Sequence, residues 1–133
     1  MHQSYEKKLK HRADFRVKYK FYANENGGRE KLPHQGIRSD FWYPHIEHKP
    51  NNIFMIWPEF EDESGNLILE NDKSVNEQGT ARMWIIVPER RPFHRTKIQV
   101  GTKGFFKEGG RSTAECEVIE ILGLNENPTT RTI

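Results

Sequence analysis

The chain has 133 residues, 30% of them charged and 34% hydrophobic, and its 21 basic and 19 acidic side chains nearly cancel, leaving a net charge of +2. With a mean hydropathy of −0.90 and no window near the ~20 apolar residues of a membrane helix, a helical membrane span is excluded. The balance of charge also gives little long-range attraction for a polyanion. The length suits one domain with a real core. Met1-His2-Gln3-Ser4 leads into charge rather than an apolar stretch, so no secretory leader is expected, and the single Cys116 cannot form an internal disulfide; both point to the cytoplasm.

Tyr5 to Arg12 carries Lys7, Lys8, Lys10, His11 and Arg12, with Tyr5 and Leu9 as its only large apolar residues. Residues 1–13 therefore read as a basic arm or a frayed turn of helix. The first strand follows, where Phe15, Val17, Tyr19 and Phe21 alternate with Arg16, Lys18 and Lys20 and so put four apolar side chains on one face and three cations on the other. Gly27-Gly28-Arg29 supplies a tight turn, and Glu30 to Gln35, with Pro33, a loop. Phe41-Trp42-Tyr43 is an aromatic strand ended by Pro44. Ile53 to Trp57 is a continuous apolar run, read as a strand buried on both faces and ended by Pro58. Asp62 to Asn66 is a polar turn into Leu67-Ile68-Leu69, and Glu70 to Gln78 a loop. Ala81 to Val87 is a further strand closed by Pro88, and Pro88 to Gly101 is a loop bearing Arg90, Arg91, His94, Arg95 and Lys97, the densest basic cluster beyond the N-terminus.

Lys103 to Leu122 reads as a hairpin whose two-residue turn is Gly109-Gly110, both placed to take positive φ. After the turn Ala114, Cys116 and Val118 alternate with Glu115 and Glu117, but Ile119 and Ile121 break the parity. Either a bulge falls near Val118 or both faces are covered there. Asn125 to Ile133, polar and containing Pro128, is expected to be a flexible tail.

Chemistry-bearing constellations are sparse. No Gly-x-x-x-x-Gly-Lys-Ser/Thr stretch is present to cradle a nucleotide's phosphates, so no nucleotide is expected to bind. His45 and His48 flank Glu47 with spacing for two metal ligands, yet Pro44 and Pro50 bracket them and no third ligand is placed by spacing; a surface loop without metal is expected. Cys116, flanked by Glu115 and Glu117, reads as a small core residue. The acidic run Glu59, Glu61, Asp62, Glu63 precedes Gly65-Asn66 and reads as a solvated edge and turn. Trp42, Trp57 and Trp84 each sit in an apolar strand and are expected in the core. With no acid, base and nucleophile placed together, the chain is expected to be no enzyme and to use no cofactor.

Two stretches carry a resemblance. Gly27-Gly28-Arg29, followed by Gly36-Ile37-Arg38-Ser39-Asp40-Phe41-Trp42-Tyr43, and the closing Phe105-Phe106-Lys107-Glu108-Gly109-Gly110-Arg111-Ser112, resemble in order and type the C-terminal β-barrel, the third domain, of translation elongation factor Tu. That family has Glu-Gly-Gly-Arg, then Gly-Tyr-Arg-Pro-Gln-Phe-Tyr-Phe, then Phe-Ala-Ile-Arg-Glu-Gly-Gly-Arg-Thr. The resemblance spans Asp14 to Leu122 and implies an all-β fold, a single closed antiparallel barrel of six or seven strands over residues 14–124. Residues 53–78 are longer and more aromatic than the family's connection and read as an insertion.

In the family the two Gly-Gly-Arg segments meet the GTPase domain, and basic positions on the barrel approach the T-stem backbone of aminoacyl-tRNA. The resemblance thus implies a protein-interaction module whose interface candidates are Gly27, Gly28, Arg29, Gly109, Gly110 and Arg111, with a protein partner in trans. Its alternative is binding to the backbone of tRNA or structured RNA through Arg38, Arg90, Arg91, Arg95 and Lys97. Asp40 stands where the family has Gln, and a carboxylate there repels phosphate.

Overall fold

The computed structural model describes residues 1–23, 31–44 and 53–131. The first Gly-Gly-Arg turn, with Gly27, Gly28 and Arg29, and the His45 to His48 segment lie outside the described residues. Among the described residues six antiparallel strands form one sheet: β1 (Phe15–Phe21), β2 (Asp40–Trp42), β3 (Ile56–Phe60), β4 (Gln78–Ile85), β5 (Lys103–Glu108) and β6 (Arg111–Ile121), in the spatial order β2-β5-β6-β1-β4-β3. Short helices α1 (Tyr5–Leu9) and α2 (Arg91–Arg95), the latter preceded by a 3₁₀ turn at Pro88–Arg90, complete it. The all-β expectation holds.

The core face follows from period-two alternation. Phe15, Val17 and Tyr19 on β1 oppose Met83, Ala81 and Gly79 on β4, and Phe41 opposes Phe106 across β2 and β5. Tyr19, Phe21, Phe60 and Phe106 meet with ring centroids 5.2–6.1 Å apart, in the range of favourable aromatic packing. The parity break in β6 resolves as a bulge: Arg16 faces Glu120 while Val17 faces Val118, leaving Ile119 over.

The sheet curls into a half-barrel and does not close, which corrects the expected closed barrel. Strand β2 is only three residues long, and among the described residues it meets the far edge at a single bridge, Phe41 to Phe54, with both backbone N–H···O distances at 2.9–3.0 Å. The free side of β3 has few groups to offer: Pro58 lacks a donor, and Phe60 gives its N–H to the Gln35 side-chain oxygen while its carbonyl accepts from Gln35 Nε2, both at 2.8 Å. The Gln35 amide, together with Ile68 N–H, which donates to Phe60 O at 3.1 Å, thus stands in for a neighbouring strand. The strand itself runs through Pro58 to Phe60 instead of ending there.

Both ends of the described chain are tied down. His2 donates its backbone N–H to Leu69 O at 2.8 Å, and its ring lies 2.7 Å from a carboxylate oxygen of Glu59, which is fully buried. Tyr5 N–H and Trp84 Nε1–H donate to the same carboxylate at 2.9 and 3.1 Å. The basic arm is therefore docked, with the Tyr5 ring edge-on to Trp84 at 5.8 Å. At the other end Asn127, 5% exposed, donates to Arg12 O and to Asp14 Oδ1, both at 2.9 Å, so the expected tail is bound at this point.

The acidic run, expected in solvent, is a second organising element. Glu61 is 3% exposed and accepts from Arg16 and Thr80 at 2.8 Å and from Arg82 at 3.0 Å. Of the tryptophans, Trp84 is buried, whereas Trp42 and Trp57 are half-buried on the outer face.

Candidate functional site

The outer face of the sheet is built by the residues that alternate out of the core. Strand registers place Thr80, Lys18, Glu117 and Lys103 in one row across β4, β1, β6 and β5, and Gln78, Lys20, Glu115, Phe105 and Trp42 in the next, which reaches β2. A groove of about 590 Å³ runs over these rows. Lys18 and Glu117 approach to 3.8 Å across it. Lys20, Lys103 and Glu115 make no ion pair among the described residues. Phe105, packed against Trp42 with ring centroids 6.0 Å apart and planes inclined by 32°, closes the β5 end with an apolar wall.

Cations and anions therefore stand side by side, about 5 Å between neighbouring strands. Such a checkerboard repels a uniformly charged polymer about as often as it attracts one, and it complements a chain that carries both signs. Gly104 lets the strands pack closely beneath: a Cβ there would lie 2.5 Å from Phe41 Cζ and 2.6 Å from Trp42 O.

The β5–β6 turn projects beyond this face. Gly109 has φ of +63°, but Gly110 does not share a positive φ, which corrects the expectation that both glycines adopt it. Arg111 is exposed and opposite Glu108 in the register. Arg29, its counterpart in sequence, lies outside the described residues.

The basic cluster is not a single surface. Arg91 is 1% exposed and forms a two-pronged ion pair with Asp14, at 2.8 Å from Nε and 3.2 Å from Nη2, while also donating to Ile85 O and Pro128 O. Arg95 gives Nε to Leu124 O and Nη2 to Asn127 O, both at 2.7 Å. These two side chains, read from the sequence as phosphate ligands, instead hold the 124–128 segment against the sheet. Arg38 stacks over the Trp57 ring at 5.0 Å, and Arg90 remains exposed with Lys97 half-exposed.

Cys116 is buried, and burial pushes its thiol well above the ordinary value, so it is a poor nucleophile. Among the described residues no group of three His, Cys, Asp or Glu side chains is placed to hold a metal ion. No described helix is long and apolar enough to cross a membrane. No family model matches the chain, and no curated protein matches it.

Sequence reasoning missed the groove because its walls read singly as a solvated face. The signal was available: Lys18 and Lys20 on one strand and Glu115 and Glu117 on another, each pair two residues apart, guarantee four charges on one side of the sheet once β1 and β6 are paired.

Proposed function

We propose that this chain is a non-catalytic protein-interaction module, related through its Phe105 to Ser112 hairpin and its Phe41-Trp42-Tyr43 strand to the C-terminal domain of elongation factor Tu. It engages a protein partner in trans along the outer-face groove and the adjoining Arg111 turn. The observation that carries this reading is the alternation of Lys18, Lys20 and Lys103 with Glu115 and Glu117 beside the Phe105 wall. A polypeptide supplies both charges and an apolar anchor; a nucleic-acid backbone supplies only one sign. The diversion of Arg91 and Arg95 into internal contacts weakens the RNA alternative further.

The test is selection from a peptide display library against the native protein and, in parallel, against a Lys20→Glu/Lys103→Glu variant. Sequences enriched on the native protein and lost on the variant, with chemical-shift changes confined to β4, β1, β6 and β5, are the expected result. Equal enrichment on both proteins, or shifts mapping elsewhere, would sink the proposal.

A further inference from the structure

A second hollow, sharing no lining residue with the groove, measures about 210 Å³ and is walled by Ile53, Phe54, Met55, Ile85 and Val87, with His94 in its floor and Arg90 at its margin. The floor is fixed: Ile85 is 2% and His94 1% exposed, and the His94 Nδ1 shares a 2.7 Å hydrogen bond with the Tyr43 hydroxyl. Phe54 stands edge-on to the His94 ring, with centroids 4.6 Å apart at 88°. The mouth is open, since Met55 is 46% exposed.

Size and charge together narrow what can enter. An apolar cavity of roughly 150 Å³ holds a benzene molecule, so this hollow accepts one aromatic ring or a branched aliphatic group and little more. Arg90 is exposed, and its guanidinium makes no hydrogen bond or ion pair among the described residues. The neighbouring Glu89 faces Arg131 at 3.4 Å, which leaves its carboxylate occupied. A guanidinium with no ion-pair partner among the described residues, at the edge of a hollow that offers both apolar side chains and polar atoms, is matched by a planar carboxylate, held through two parallel hydrogen bonds.

We propose that this hollow is a binding site for a small apolar carboxylic acid, its ring or branched chain seated against Ile53, Met55, Ile85 and Val87 and its carboxylate on Arg90. The site is separate from the outer-face groove, and its occupancy does not depend on that surface being an interface. Charge complementarity selects the acid over neutral molecules of the same shape, and the Ile53, Met55, Ile85 and Val87 side chains give its ring or branched chain an apolar seat.

The test is a titration of phenylacetate into methyl-labelled protein, followed by NMR. A ligand of about ten non-hydrogen atoms is expected to bind with a dissociation constant of about millimolar, shifting the methyls of Ile53, Met55, Ile85 and Val87 and few others. Phenylacetamide, the neutral counterpart, should bind about tenfold more weakly. Arg90→Gln should remove that preference without changing the amide's affinity, and Val87→Phe, which fills the hollow, should abolish both. Methyl shifts elsewhere, equal affinity for acid and amide, or indifference to Arg90→Gln would each overturn the proposal. A peptide ending in Phe with a free carboxylate that bound more than about tenfold tighter than phenylacetate, a difference of about 1.4 kcal/mol, would overturn the small-acid assignment in favour of a protein C-terminus.

Discussion

Asp14 and Arg91, 77 positions apart in the chain, form a buried ion pair with Nε and Oδ1 2.8 Å apart, and each side chain is at most 1% exposed. Asp14 also accepts from Ile85 N–H at 2.8 Å and from Asn127, so a single carboxylate joins the start of β1, the end of β4, α2 and the C-terminal segment. Removing one partner leaves an uncompensated buried charge. Asp14→Ala is expected to cost about 3–5 kcal/mol, measured by urea denaturation. An Asp14→Ala/Arg91→Met double variant should lose less than the sum of its single variants, because their shared term is counted once. Additive losses would show that the two side chains act independently.

Glu61 gives a pH dependence of defined sign. Burial raises the carboxyl, but hydrogen bonds from Arg16, Thr80 and Arg82 outweigh it and hold the group below its ordinary 4.5. A group depressed in the folded state contributes stability that is fully present above its unfolded value and lost as pH falls through the folded value. The native protein should therefore lose stability below pH 4.5, and Glu61→Gln should be less stable at neutral pH with a flatter profile in that acid window. Denaturation midpoints across the acid range decide it: parallel profiles for the two proteins would remove Glu61 as the source.

What the sequence shows and what it conceals divide along the range of the interactions involved. Alternation in Phe15 to Phe21, the glycine turn at Gly109 and the parity break at Ile119 are local, and each is readable from period-two spacing. The partners of Asp14 and Glu59 lie 77 and 57 positions away, and nothing near either carboxylate announces them. The acidic run misleads because Pro58 reads as a strand end. Carried across that proline, the alternation puts Pro58 and Phe60 inward and Glu59 and Glu61 together on the outer face. Arg91 and Arg95 are one helical turn apart, which sets both on the same side of α2; a basic loop without that helix would have left them in solvent. Closure fails for a reason the sequence hides, since the Gln35 side chain and the Leu67–Ile68 backbone, both outside the strands, occupy the edge that a ladder would have needed.

The turn glycines differ in their tolerance. Gly109 holds φ of +63°, where a β-branched residue is strained whatever space surrounds it, whereas Gly110 has no positive φ and nothing within 4 Å of where a Cβ would sit. Gly109→Val should cost on the order of 1–3 kcal/mol, and Gly110→Ala should be nearly neutral. Gly104→Ala should also destabilise, through its contact with Phe41 and the Trp42 carbonyl rather than through φ. Thermal melts of the three variants separate the two causes, and an unchanged melting temperature for Gly109→Val would rule out the strain.

Salt dependence decides between a protein partner and RNA. Arg91 and Arg95 hold the 124–128 segment, so replacing them would confound binding with unfolding. The informative variant is Arg38→Ala/Arg90→Ala/Lys97→Ala, confined to the candidate cations whose guanidinium or ammonium groups make no ion pair among the described residues. If those three groups neutralised phosphates, each would add about −0.7 to −0.9 to the slope of log K against log salt, or roughly −2 to −3 together. With a net charge of +2, with Asp40 beside Lys107 in the β2–β5 register, and with acidic side chains interleaved along the groove, tRNA is expected to bind no tighter than the non-specific range of about 10⁻⁴ to 10⁻⁶ M. Filter binding of tRNA and duplex RNA at two salt concentrations measures this directly. Submicromolar affinity with a slope of about −3, abolished by the triple substitution while the melting temperature is unchanged, would replace the protein partner with RNA.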